Sequence, residues 1–135
     1  MKHLKRTVVL FLSMLLILVS MNAKTKAAEG FTVTKTTLSW PDRTPIGEDN
    51  TVNEYSNIRI DIDFELANNH FNAGNQTVIS LPNELTLNAN QTFNVTNESG
   101  DVIAVAVLDQ ANKTVTLTYT EYVENHSNIT GTLFI

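Results

Sequence analysis

Between residues 57 and 66 the chain alternates strictly, with Ile58, Ile60, Ile62, Phe64 and Leu66 apolar and Arg59, Asp61, Asp63 and Glu65 charged between them. A period of two sends successive side chains to opposite faces, so this stretch predicts a long strand with one dry and one wet face. One-sided burial of this kind belongs to antiparallel sheets, because parallel strands are covered on both faces and read as continuous apolar runs. The same reasoning places further strands at 31–40, 76–81, 91–96, 102–108, 114–119 and 130–135. Pro82 ends the third, since proline cannot donate to a ladder. Turn chemistry at Asn97, Glu98, Ser99, Gly100 and Asp101, and again at 109–112, separates the later ones. Short strands with turns about every ten residues predict an all-β immunoglobulin-like antiparallel sandwich, with a barrel as the runner-up.

The first residues follow a different pattern. Lys2, Lys5 and Arg6 precede an apolar run at 7–21, and small residues follow at Ala23, Ala27 and Ala28. This is the pattern of a secretory signal peptide, and the run is short for a bilayer-spanning helix. A leader at 1–27 and a single Ig-like domain at 28–135 are therefore expected, with Ala23 or Ala28 as alternative last residues of the leader. The apolar TGTLFI at 130–135 reads as a strand that continues in a longer polypeptide.

Removing the leader changes the charge. Of nine basic residues, Lys2, Lys5, Arg6, Lys24 and Lys26 leave with it, so 28–135 holds four basic against fourteen acidic residues, a net charge of −10. Nucleic acid and anionic lipid are excluded as expected partners, because both require a positive face. No membrane insertion is expected after cleavage. Cysteine is absent, so the domain is expected to fold on its core alone.

Candidate chemistry is sparse. His70 and His126 stand in separate Asn-rich turns and read as surface residues. Asp61, Asp63 and Glu65 share the wet face of one strand; calcium needs six or more oxygen ligands, so a solvated acidic face is the preferred reading. Serine-nucleophile, phosphate-loop and HExxH motifs are missing. The domain is expected to have no catalytic, cofactor or metal residues, and its ligand-binding residues are not identifiable from these patterns. Seven Asn-x-Ser/Thr sequons, at Asn75, Asn90, Asn94, Asn97, Asn112, Asn125 and Asn128, read as a by-product of abundant Asn and Thr. Trp40, beside Pro41 and ahead of a polar stretch at 42–54, is expected in the core. Lys35 is in phase with Phe31 and Val33, so its stem could face inward; an exposed edge lysine is the preferred reading.

Two stretches carry a resemblance. ISLPNELTLN at 79–88 and TYTEYVENHSNITGTL at 118–133 resemble the first adhesive subdomain of the clumping-factor, fibrinogen-binding and collagen-binding adhesins of Gram-positive cocci. In those families a strand ends in proline before a Glu-Leu-x-Leu stretch, and a TYTFTDYV motif precedes another strand. Glu121 stands near the acidic position of that motif and Tyr122-Val123 matches its Tyr-Val, whereas its Phe-Thr pair is missing and Asn75 follows Gly74 where those adhesins often have Gly-Asp. The resemblance implies a variant immunoglobulin fold in a cell-surface protein that attaches to a host extracellular matrix protein, collagen or fibrinogen. It further implies a ligand strand held in a groove shared with a neighbouring Ig-like subdomain and locked by a strand added to the first subdomain's sheet. In such domains a lysine at a position like Lys35 sometimes forms an isopeptide bond with an asparagine on the last strand. A stalk or wall module without a ligand of its own is the alternative, and a secreted enzyme is a distant third.

Overall fold

The computed structural model describes residues 29–47, 50, 52, 55–83 and 85–135; the leader expected at 1–27 lies outside them. Seven strands appear where alternation and turn residues predict them: β1 (Phe31–Ser39), β2 (Arg59–Leu66), β3 (Gln76–Ser80), β4 (Gln91–Thr96), β5 (Val102–Asp109), β6 (Thr114–Tyr119) and β7 (Thr130–Phe134). One helical turn, α1 (Tyr122–Asn125), joins β6 to β7, and no sequence pattern announces it. The motif that includes Tyr122-Val123 folds into this turn, which buries Val123.

All described pairings are antiparallel, in the order β1-β2-β7-β4-β5-β6-β3. The sheet is not uniform along that order. β2 and β7 share five register pairs, whereas β7 and β4 share one, Thr96↔Thr132. At this seam the sheet folds over, and β1-β2-β7 packs its dry side against that of β4-β5-β6-β3 to give the expected sandwich. A β-carbon added to Gly131 on β7 would lie 2.6 Å from Ile103 Cδ1 on β5 and 2.6 Å from Phe64 Cζ on β2, which shows how closely the layers meet.

The core follows the alternation. Ile60, Ile62, Phe64 and Leu66 of β2 are buried, as are Ile79, Val95, Ala106, Leu108, Val115, Leu117 and Leu133 from the other strands. Leu81, Leu85 and Leu87 of the ISLPNELTLN stretch also enter the core, although only its first two residues lie in a strand. Ile103 and Ala104 are both fully buried despite being consecutive. The β4/β5 register skips a residue there, and a bulge of this kind lets neighbouring side chains face the same way.

A second bulge explains why Lys35 is exposed, as the preferred reading had it, although it keeps phase with Phe31 and Val33. The β1/β2 register shifts between Val33 and Lys35, leaving Thr34 unmatched, so the inward set passes from Phe31 and Val33 to Leu38. Lys35 is exposed and stands opposite Asp63. The long β1–β2 connection is less open than its polar composition implies. Val52 is fully buried, and Ile46 packs on the core. Trp40, expected in the core, is instead half-buried in the turn after β1, where Arg43 N–H donates to its carbonyl at 2.8 Å.

Candidate functional site

Strand β7 has one satisfied edge and one open edge. Ile135 and Ile60 exchange both backbone hydrogen bonds, at 2.9 and 3.0 Å, so alternation directs the peptide groups of Leu133 and Gly131 toward β2 as well. The peptide groups of Thr130, Thr132 and Phe134 then face the other way, toward β4. Only Thr132 has a register partner on that side. The strands diverge around this bridge and leave a groove of about 480 Å³, whose lining includes Thr34, Thr96, Asn97, Glu98, Thr130 and Phe134.

Phe134, which lines this groove, joins it to a set of charged and aromatic side chains beside it. Arg59 donates from Nε and Nη2 to Asp61 at 2.9–3.1 Å, and this fork holds the guanidinium above its usual pKa. The guanidinium carbon lies 3.8 Å above the ring centroid of Phe134, a cation–π contact on an aromatic that is 52% exposed. Phe93 stacks at 6.5 Å from the same ring. Thr132 Oγ1 donates to Asp63 at 2.7 Å. The carboxylates on the wet face of β2 are thus engaged separately, Asp61 by Arg59 and Asp63 by Thr132, while Glu65 is exposed. Among the described residues no group of three metal-ligating side chains converges.

Asn97 ties the groove to the end of the domain. Its Oδ1 accepts from the backbone N–H of Ser99 and of Asp101, both at 3.0 Å, and its Nδ2 donates to Asp101 Oδ2 at 3.2 Å and to Tyr122 Oη at 3.0 Å. One side chain therefore closes the β4–β5 turn and braces α1 against it. Composition presents this residue only as one sequon among seven. Asn75 and Asn112 likewise engage in local turns, Asn90 Oδ1 accepts from the backbone N–H of Gln110 in the β5–β6 turn, and Asn125 donates to the Glu121 carbonyl. Asn94 lies exposed in β4, and Asn128 adopts a positive φ of 54°.

The two histidines stay apart from the groove lining and serve packing. His70 lies over Gly30, where a β-carbon would come within 2.5 Å of the imidazole, and it meets Phe71 edge-on. The His126 ring stacks flat on Tyr122 at 3.7 Å, and its Nδ1 is 3.0 Å from the Tyr122 carbonyl oxygen. The most strongly perturbed group is Tyr119, which is buried beside Phe71 and whose hydroxyl is 2.7 Å from Thr77 Oγ1. Burial pushes its phenol up to about 12.

Residues 51–135 match a family described as bacterial Ig domain. Two relatives are the serine-aspartate repeat-containing protein E of Staphylococcus aureus strain Mu50, 32% identical over 108 residues, and that of strain Newman, 32% identical over 107 residues. The alignments cover 76% and 75% of this chain but only 9% of each relative, so the chain spans about a tenth of their length. Among solved structures, the serine-rich repeat adhesion glycoprotein of Streptococcus agalactiae shares the fold with a TM-score of 0.52 and 19% identity, over 76% of this chain and 34% of that one. Sheet order, core and these relationships agree, and the chain belongs to the bacterial Ig domain family.

Proposed function

We propose that this domain holds an extended polypeptide strand along the open edge of β7. Through it, the domain contributes to attachment of a Gram-positive cell to a host extracellular matrix protein, collagen or fibrinogen. The observation that carries this reading is the seam, where β7 meets β4 at Thr96↔Thr132 alone and the peptide groups of Thr130 and Phe134 flank a groove of about 480 Å³. An added strand satisfies such an edge with backbone hydrogen bonds, while side-chain pockets set the sequence preference. Phe134, Phe93 and the Arg59–Asp61 fork supply those pockets on the outer rim.

In this reading residues 1–27 direct export and are removed, and 28–135 reaches the cell surface beside a second Ig-like subdomain of the same longer polypeptide. That subdomain supplies the other wall of the ligand groove and the strand that locks it. Surface plasmon resonance of a polypeptide containing this domain and its neighbour, over immobilised collagen and fibrinogen, tests the assignment. Binding to one of them is expected. Binding to neither sinks the ligand assignment and favours a stalk module. Residues 28–135 alone are expected to bind weakly, since only one wall of the groove is theirs.

A further inference from the structure

The lysines and arginines of residues 28–135 are unevenly placed. Strand register puts Glu65, Thr96, Val102, Tyr119 and Thr130 at one end of the sandwich, so the connections bearing Glu98, Asp101, Glu121 and Glu124 gather there. Arg43, Arg59 and Lys113 lie at the other end, next to the Ser39↔Arg59 and Asp109↔Thr114 pairs, and Lys35 on β1 is the remaining one. The β7 groove runs into the acidic end. Its lining holds two carboxylates, Asp63 and Glu98, and no lysine or arginine.

Neighbouring carboxylates are engaged from within the domain. Asp61 takes the Arg59 fork, Asp101 accepts from Asn97 Nδ2, and Glu124 accepts from the Ala73 N–H. Asp63 receives one hydroxyl, from Thr132, and although Lys35 stands opposite it in the register, Arg59–Asp61 is the ion pair formed among the described residues. The Glu98 carboxylate has no hydrogen bond or ion pair among the described residues. The turn that carries it is fixed, because Asn97 Oδ1 accepts from the amides of Ser99 and Asp101, and this keeps Glu98 on the groove wall.

We propose that the polypeptide strand received by this groove is basic, with a lysine or arginine side chain set beside Glu98 and Asp63. The inference rests on strand addition at β7 and names the charge of the added strand. Charge selects the occupant. An acidic strand would meet both groove carboxylates and the acidic loops at the same end, and the net charge of −10 on residues 28–135 repels it from a distance. A basic strand is steered toward this end and satisfies the two carboxylates on arrival. A free cation does not use the peptide groups of Thr130 and Phe134, whereas a polypeptide pairs with them. Calcium would also need six or more oxygen ligands, and no three metal-ligating side chains converge among the described residues.

Amide-shift titrations of residues 28–135, which contain every described strand, with three synthetic peptides of about twelve residues test this. The peptides alternate threonine and serine and differ at two central positions, which are both lysine, both glutamine or both glutamate. The lysine peptide is expected to shift the amides of Thr96, Glu98, Thr130 and Thr132 and to bind about fivefold tighter than the glutamine peptide, an advantage that shrinks as salt rises. The glutamate peptide is expected to bind weakest. Glu98→Gln with Asp63→Asn, in which the asparagine oxygen still accepts from Thr132, is expected to abolish the lysine preference and leave affinity for the glutamine peptide unchanged. Glu121→Gln, at the same end but outside the groove lining, is expected to keep the preference. Equal affinity of the three peptides at the groove amides overturns the inference and leaves strand addition standing. A lysine preference that survives the double variant, or shifts confined to α1, overturns it as well. No groove shift with any peptide removes both the inference and strand addition at β7.

Discussion

Phe64 stands directly across from Gly131 in the β2/β7 register, and the Phe64 ring fills the space where a β-carbon on residue 131 would sit, with Cζ only 2.6 Å from that position. The glycine has no unusual backbone conformation to satisfy; it is needed because the largest fully buried side chain of the core lies against its α-carbon. Gly131→Ala is therefore an overpacking substitution, expected to cost about 1–3 kcal/mol. A urea titration with an unchanged slope and a lower midpoint would show it, and an unchanged midpoint would refute the packing argument.

Tyr119 and Thr77 share one buried hydroxyl pair at 2.7 Å. Tyr119→Phe leaves the threonine hydroxyl unpaired and is expected to cost about 1–3 kcal/mol, whereas Tyr119→Phe with Thr77→Val removes both polar atoms and costs less than the two single changes summed. Burial raises the folded phenol from 10.0 to about 12, so the folded state retains a proton that the unfolded state releases. This contribution is complete below pH 10 and is lost as pH rises through about 12. Ultraviolet titration is expected to show one of the three tyrosines ionising last, and that delay is expected to vanish in Tyr119→Phe.

The Asn97 side chain makes four hydrogen bonds that join a turn, an aspartate and α1. Asn97→Ala is expected to destabilise the domain by about 1–2 kcal/mol and to accelerate amide exchange in 98–101 and 122–125 more than in β2. Equal effects in all three regions would contradict its role as a local brace.

Thr130→Pro separates strand addition from folding. The amide of Thr130 points toward the groove by alternation from the Ile60–Ile135 pair, and proline is tolerated at the first residue of a strand. The variant is expected to keep its melting temperature within a few degrees and to weaken matrix-protein binding of the two-domain polypeptide by tenfold or more. Undiminished binding would place the ligand strand elsewhere.

Lys35 is exposed, and β7 contains no asparagine to receive it. The intact mass is accordingly expected to match the calculated one, with no loss of ammonia, and Lys35 is expected to react fully on reductive methylation of the folded protein. A mass lower by one ammonia would show a crosslink at this or another site.

The places where local reading succeeded and failed share a physical cause. Alternation is a property of neighbouring residues, so β2, with Ile60, Ile62, Phe64 and Leu66 inside, is legible from ten positions, and proline and turn residues bound most of the other strands. A single extra residue breaks that reading. The bulge at Thr34 turns Lys35 outward although it keeps step with Phe31, and the one beside Val95 hides both Ile103 and Ala104. Helical turn α1 also escapes local reading, because four residues carry too little periodicity, and its supports come from Asn97 and from Glu124 reaching Ala73 N–H.

By itself the amino-acid order determined the strands, their dry and wet faces, the acidic balance and the turns, since each depends on a few adjacent residues and on backbone preference. The tertiary structure alone decided that β7 meets β4 at one pair and β2 at five, and that Phe64 needs a glycine opposite it. These are relationships between residues tens of positions apart. They arise when two layers close on a shared core and one edge is left without a partner, a geometric outcome that no short window of the chain encodes.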